Sequence, residues 1–242
     1  MLGNFGLGWI KDPPDQRDYN VRSLIPPEKK VAILPDKYTV YPDTIIYNQG
    51  STSECVAHAL SGVKTDQEYL QYAQRYEFDA HWLYTECKKA DSIPTIDGTY
   101  PRVACQILQE RGTIMVGEKR CFAKQVLNIP DAKWKINSYF RIDSTNTNDD
   151  IKQLLFTCGS FLAASRWYSN WSEKFAVFSQ PNGIVSGGHA FRIIGWNTVG
   201  WVVANSWGKL LWGNWGIATM PYKMFQNYVL VDGDSWKIVD QL

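Results

Sequence analysis

The stretch Asn48-Gln49-Gly50-Ser51-Thr52-Ser53-Glu54-Cys55-Val56-Ala57 decides how this chain of 242 residues is read. Gln49-Gly50 is turn chemistry, and an apolar stripe follows it at Val56, Leu60, Val63 and Leu70, the repeat of one helix face. Ser51 with Glu54 three residues on has the form of a capping box. The pattern therefore predicts a helix capped by Ser51 with Cys55 in its first turn. Helix starts concentrate unpaired N–H groups and positive potential, which stabilise a thiolate. Glu54 opposes this unless its carboxylate turns back onto the helix. A free Cys is more often a small buried packing residue than a nucleophile, so the assignment rests on partners.

The chain has three His. His189 enters an apolar strand from Ser186-Gly187-Gly188, small residues that leave room for a substrate backbone. Alone it reads as a surface residue at a strand start. His58 lies one turn after Cys55, but no second ligand pair has metal spacing, so the reading assigns no metal and no cofactor. His81 reads as structural. Asn205 follows the strand Trp201–Ala204 and precedes Ser206-Trp207-Gly208. Its amide carbonyl can orient an imidazole, and the Trp207 indole can keep water from that bond; its plain reading is a turn Asn.

Outward from these residues, positions 1–48 read as extended chain and turns, because Pro13, Pro14, Pro26, Pro27, Pro35 and Pro42 interrupt any helix. A second helix is expected from Pro101, after Thr99 as cap, to Gly112, and a third from Asn148 through Ile151, Leu154 and Leu155 to Gly159. Beyond Gly159 the texture changes to short strands rich in β-branched and aromatic residues: Phe161–Trp167, His189–Trp196, Trp201–Ala204 and Trp215–Met220. Helices first and strands last predict an α+β fold of two lobes. We expect a wrapping segment at 1–48, a helix-rich lobe at about 49–158 and a β-rich lobe at about 159–242. Five of the 11 Trp (Trp196, Trp201, Trp207, Trp212 and Trp215) crowd the last part.

The charge balance of 25 basic against 24 acidic residues leaves no footprint for phosphate backbones or a polybasic membrane anchor, so neither nucleic acid nor membrane is expected as a partner. The five Cys are odd in number and widely spaced, which argues against a disulfide framework and for a reducing compartment. No basic and apolar leader pattern is visible at the start. These features predict a cytoplasmic protein or a component of a viral particle.

Together the three segments resemble the papain-like cysteine peptidases. The Gln49–Cys55 stretch resembles the family's nucleophile segment, Gly188-His189-Ala190 with Ile193-Ile194-Gly195-Trp196 its histidine segment, and Asn205-Ser206-Trp207-Gly208 with Trp212-Gly213-Asn214-Trp215-Gly216 its asparagine segment. His189 and Asn205 follow Cys55 by about 130–150 residues, the separation known for that family. Gly8-Trp9, Pro14-Asp15-Gln16-Arg17-Asp18-Tyr19 and Asp97-Gly98-Thr99-Tyr100-Pro101-Arg102 resemble a microbial and viral branch. The resemblance implies a helical lobe carrying the nucleophile helix against an antiparallel, barrel-like β-lobe. It implies an endopeptidase that cleaves an extended polypeptide through a Cys55 thioester. His189 is then base and acid, Asn205 its orienting residue, and Gln49 with the Cys55 N–H the oxyanion hole. Gly98 and Thr99 fall on the substrate-pairing edge, Ala164, Gly188 and Ala190 near the specificity pocket, and Trp207 over the His189–Asn205 bond.

The chain departs from the family pattern at Thr52, which stands where a disulfide-forming cysteine is usual, at Val56 and Glu54 beside the nucleophile, and at Thr99, whose side chain narrows the cleft. No long inhibitory propeptide is recognisable. The alternative is a binding or structural protein that keeps the fold inside a larger assembly, which Glu54 and Thr99 favour. Joint retention of Gln49, Cys55, His189 and Asn205 favours the enzyme. A cell-wall amidase with a Cys-His pair would lack the Asn-Ser-Trp-Gly segment.

Overall fold

A computed structural model describes residues 5–25, 30–41, 44–116 and 134–240. Pro26, Pro27, Pro42 and Cys121, used in the sequence reading, lie outside them. Helix α1 (Cys55–Tyr72) is buried from Cys55 to Glu68 with only His58 partly open, so it has neighbours on every side and little amphipathic character. Leu70, expected on its apolar stripe, is exposed, because the last turn emerges from the protein. The helix stops at Ala73, which takes a left-handed conformation and returns its N–H to Tyr69.

The buried charged residues Asp66 and Lys64 of α1 are paired across the fold. Asp66 accepts from Arg192 at 2.9 Å, Thr44 at 3.0 Å and Ser160 at 2.6 Å. Arg192 also donates to the carbonyls of Gly62 and Ile45, both at 2.7 Å. Lys64 bonds Glu68 at 2.5 Å and also Asp240.

Helix caps differ from the sequence expectation by one to three residues, while the helix expected from Pro101 does start there. Ser51 does not cap α1: Thr52 bonds back to the Gln49 carbonyl in a turn, and the helix begins only at Cys55. Glu54 stands in the cap position without capping. Helix α2 (Ala80–Ala90), which the sequence reading did not anticipate, is capped by Asp79 on the Trp82 N–H. Helix α3 (Pro101–Glu110) is preceded by Tyr100, not capped by Thr99, whose hydroxyl bonds Asp91 instead. Its free Arg102 N–H is taken from outside, by the carboxylate of Asp12 at 3.2 Å. Helix α4 (Asn148–Cys158) is capped by Thr147 rather than Asn148, because Thr147 and Asp150 form the reciprocal capping box.

Seven strands among the described residues form one antiparallel sheet. They are β1 (Tyr38–Thr39), β2 (Ser138–Arg141), β3 (Phe161–Tyr168), β4 (Val185–Trp196), β5 (Gly200–Ala204), β6 (Ile217–Pro221) and β7 (Asp234–Val239). Their order is β2-β7-β3-β4-β5-β6, with β1 added on β4. The sheet is therefore open, not the barrel-like closure expected, since β2 and β6 end it without pairing to each other. Trp215 is not in β6; it is exposed, in a left-handed turn ahead of the strand.

Alternation along the strands separates two cores. Leu162, Ala164, Ala190, Trp236 and Ile238 face α1, α2 and α3. Phe161, Ala163, Trp167, Phe191 and Ile193 face the other way, toward Ile151, Leu154 and Leu155 of α4 and toward Trp171, Trp196, Trp201, Trp207 and Trp212. The crowded indoles are thus mostly the filling of this second core. Strand β2 and helix α4 belong with the sheet, so the helical core draws on α1 to α3.

The Asp66–Arg192 pair sits between α1 and β4, and removing one partner strands a buried charge. Asp66→Ala should lower unfolding free energy by about 3–5 kcal/mol, read from the urea midpoint. A loss under 1 kcal/mol would show that the pair is dispensable.

Candidate active site

Cys55 is the first residue of α1 and is wholly buried. Backbone N–H groups of Ala190, Gly8, Val56 and Cys55 itself act on its sulfur. Ala190 follows His189, so the strand that carries the imidazole also abuts the thiol. Glu54 turns neither to the helix nor to the thiol: its carboxylate meets His81 at 2.8 Å and His58 at 3.6 Å. Burial raises its pKa, but those two imidazoles outweigh it and hold the carboxyl below its usual range.

The ring of His189 is buried between Trp207, stacked at 4.4 Å, and the edge of Trp167 at 4.7 Å. Its Nε2 lies 2.7 Å from Asn205 Oδ1. Asn205 Oδ1 also accepts the Ser206 N–H at 2.7 Å, which aims the carbonyl. An acceptor there makes Nε2 the protonated nitrogen and leaves Nδ1 as a base. Nδ1 is buried without a hydrogen-bond partner. Trp207 thus lies against the ring whose Nε2 bonds Asn205.

Gln49 accepts from the Ser206 hydroxyl through Oε1 at 2.6 Å. Its Nε2 donates to the Thr52 carbonyl at 2.7 Å and the Gly6 carbonyl at 3.2 Å. The second acceptor belongs to a segment that the sequence reading did not place in the site.

Residues 5–10 run through the cleft between the helical core and the sheet. The Gly188 carbonyl accepts from Gly8 at 2.9 Å and Trp9 at 3.1 Å. On the opposite edge Thr99 donates to Gly8 at 2.9 Å and accepts from Ile10 at 3.2 Å, in parallel pairing. Phe5 stacks on Trp207 at 4.2 Å. Glycine is required where this strap touches the nucleophile loop: a Cβ on Gly8 would lie 2.0 Å from the Ser53 carbonyl oxygen. Thus Gly98, Thr99, Gly188, Ala190, Ala164 and Trp207 do line one cleft, but residues of the same chain fill it. The signal was legible in Phe5-Gly6-Leu7-Gly8-Trp9, apolar residues alternating with glycines that permit close backbone approach. The Thr99 hydroxyl is held by Asp91, while its backbone still pairs with the strap.

The strap also decides the electrostatics. Burial pushes the Cys55 thiol up to about 11, against the lowering pull of the surrounding N–H groups. Burial pushes His189 down to about 3, partly offset by Asn205. The helix-start expectation of a depressed thiol pKa is reversed in this closed state, because desolvation disfavours both charged forms. Cys55, Cys87, Cys105 and Cys158 are free thiols, so no disulfide joins the described residues to one another.

A thiol at a helix start, facing a strand that bears an amide-oriented imidazole with an amide side chain beside it, defines the class of thiol-dependent hydrolases. The sequence profile of the papain family cysteine proteases matches residues 38–230, and the chain belongs to that family. Among solved structures, xylellain, a cysteine protease from Xylella fastidiosa, superposes with a TM-score of 0.81 at 22% identity, over 100% of this chain and 98% of that one. Procathepsin B from Trypanosoma congolense gives 0.76 at 19% identity, over 99% of this chain and 87% of that one. A Carica candamarcensis cysteine protease in complex with E-64 gives 0.69 at 17% identity, over 86% and 100%. The protein is a cysteine peptidase, a hydrolase acting on polypeptides.

Displacing the strap should expose the thiol. In Gly8→Val, Cys55 should be alkylated by iodoacetamide at least tenfold faster at pH 7 than in the unaltered chain, read by mass spectrometry. In the unaltered chain the rate should climb only as pH rises toward about 11, since the thiolate reacts and its raised pKa delays its formation. Equal rates at pH 7 would show that the strap does not protect Cys55.

Proposed function

We propose that the enzyme is an endopeptidase in which Cys55 attacks an extended peptide and forms a thioester, with residues 5–10 holding the site latent until they are displaced. The observation that carries this reading is the His189–Asn205 bond under Trp207, which leaves Nδ1 as a free base on the strand that flanks Cys55.

With the strap gone, water and substrate enter, the desolvation of both groups falls, and proton transfer from Cys55 to His189 becomes favourable. The thiolate then attacks the peptide carbonyl. Negative charge develops on the carbonyl oxygen, within reach of Gln49 Nε2 and the Cys55 backbone N–H. His189 returns its proton to the leaving amine, and water, activated by the same imidazole, hydrolyses the thioester. Gly188 and Thr99 offer backbone partners on both edges of the cleft, which supports an extended substrate.

The strap is poorly placed for its own cleavage. Gln49 holds the carbonyl of Gly6, whereas the sulfur is met by the N–H of Gly8, two residues on. Attack needs one and the same carbonyl at both positions. A covered thiol that meets an amide N–H fits occupancy without turnover.

Removing Gln49 separates the roles. In the Gly8→Val background, Gln49→Ala should lower kcat for a peptide by about 10²–10³, while alkylation of Cys55 by iodoacetamide changes less than threefold. Cys55→Ala should abolish cleavage and leave the thermal midpoint within a few degrees. Cleavage surviving in Cys55→Ala, or equal loss of alkylation and cleavage in Gln49→Ala, would overturn these assignments.

A further inference from the structure

Lys88 lies in the last turn of α2, and its ammonium meets four oxygens. It donates to Asp91 Oδ2 at 2.8 Å and to the carbonyls of Ile93 at 2.9 Å, Ile96 at 2.8 Å and Gly98 at 3.0 Å. An ammonium has three N–H donors, so these acceptors leave none over, and the side chain is mostly buried. The acceptors span residues 91–98, the whole connection from α2 to the edge of the cleft. A lysine with one partner at the surface is an ion pair of little worth. One that gathers three carbonyls of a single loop shapes that loop. Asp91 works with it: Oδ1 accepts the Ile93 N–H at 3.1 Å and Oδ2 the Thr99 hydroxyl at 3.0 Å.

The bond to Gly98 reaches the cleft itself. The Gly98 carbonyl and the Thr99 N–H belong to one peptide group, which is trans. In a trans group these two bonds point to opposite sides of one plane. With the oxygen turned onto Lys88, the N–H is turned onto the Gly8 carbonyl of the strap, which it meets at 2.9 Å. The Gly98 N–H donates to the Tyr84 hydroxyl at 3.1 Å. Tyr84 and Lys88 are four residues apart and share one face of α2. The helix therefore grips Gly98 by both of its backbone groups.

Such a grip has a purpose at this position. Gly98 sits at φ +94°, and a Cβ there would lie 2.2 Å from the Gly8 carbonyl oxygen, so close approach of another backbone demands glycine. The same freedom lets the peptide group after Gly98 turn over. Turned, it would present an oxygen to the cleft in place of the Thr99 N–H, and an incoming carbonyl would meet repulsion. The Lys88 ammonium opposes that turn. A positive charge on the carbonyl also polarises the group, which strengthens the N–H at its other end as a donor.

We propose that Lys88 is a positioning residue of the peptidase: through the Gly98–Thr99 peptide group it sets the backbone N–H on which a carbonyl of the bound polypeptide docks. The inference rests on the reading that residues 5–10 occupy the cleft that the substrate enters. The Gly8 carbonyl then marks the place of a substrate carbonyl.

The test uses the full-length chain carrying Gly8→Val, with and without Lys88→Met. Adding Lys88→Met should raise KM for a peptide about tenfold, the worth of one hydrogen bond, and leave kcat within about twofold, the pattern of lost uniform binding. Peptides in which each amide in turn is replaced by an E-alkene locate the docking carbonyl. At one position the alkene should itself raise KM about tenfold, and there Lys88→Met should add little. In Lys88→Ala, n-propylammonium chloride supplies the missing part of the side chain and should lower KM again, whereas sodium chloride at equal ionic strength should not. Should the Met and Ala variants fail to fold, Lys88→Arg keeps the charge, but its planar fork cannot converge on four oxygens. It should raise KM severalfold at unchanged kcat. Unchanged KM in the variants that fold, a fall in kcat alone, or equal losses with every alkene peptide would overturn the proposal. Binding of the same peptides to full-length Cys55→Ala, Gly8→Val, followed by fluorescence anisotropy, reads the edge without catalysis. Adding Lys88→Met there should weaken binding about tenfold; equal affinities, or no binding by either, would overturn the proposal. Absence of cleavage with Lys88-dependent binding would instead fault the proposed catalytic roles.

Discussion

The buried pair of Asp66 on α1 and Arg192 on β4 fixes where Cys55 stands relative to His189. Asp66 is three turns along the helix from Cys55, and Arg192 is three residues along the strand from His189. Arg192 also grips the carbonyls of Gly62 and Ile45, so helix, strand and the segment before the nucleophile loop share one cation. A buried charge tolerates little displacement, because any gap leaves it uncompensated. The helix therefore cannot slide or rotate against the sheet without cost, and the thiol keeps its register with the imidazole strand.

On that rigid seam the strap adds a removable part. Gly8 is bonded on both sides, to Gly188 of the sheet and to Thr99 before α3, so it closes the cleft as an added strand would. Its effect on chemistry is indirect. By excluding water it keeps thiol and imidazole neutral, and in the proposed mechanism these two residues exchange a proton once solvated. Desolvation outweighs the helix start here because both groups are wholly buried, while backbone N–H groups supply only partial charges.

The two ends of the strap are anchored by different means. Phe5 stacks on Trp207, whose other contacts include the His189 ring, so one indole serves both the strap and the imidazole–amide bond. At the other end Asp12 completes the start of α3 and accepts the Trp236 indole N–H at 2.8 Å. Asp12 and Asp234 lie close enough that burial and mutual repulsion raise Asp12 to about 7. Arg102 counters part of that rise, and the strap's C-terminal anchor is correspondingly sensitive to charge.

How much was legible in the sequence follows from which interactions are local. The helix through Val56, Leu60 and Val63, the β-rich final third, and the residues Gln49, Cys55, His189 and Asn205 announce themselves by periodicity and motif, since each depends on neighbours in sequence. Helix caps were misread where a distant group replaced the local one: Asp12 serves α3 from 90 residues away, and Glu54 is drawn to His81 rather than to its own helix. Whether the sheet closes is likewise a question of long-range pairing that alternation does not encode. The occupied cleft and the reversed pKa of Cys55 arise from segments more than 40 residues apart in the chain. The sequence alone determined the elements and the chemical groups. Only the tertiary structure decided that the thiol is dry and neutral and that residues 5–10 lie across it, because solvation is a property of what surrounds a residue in space.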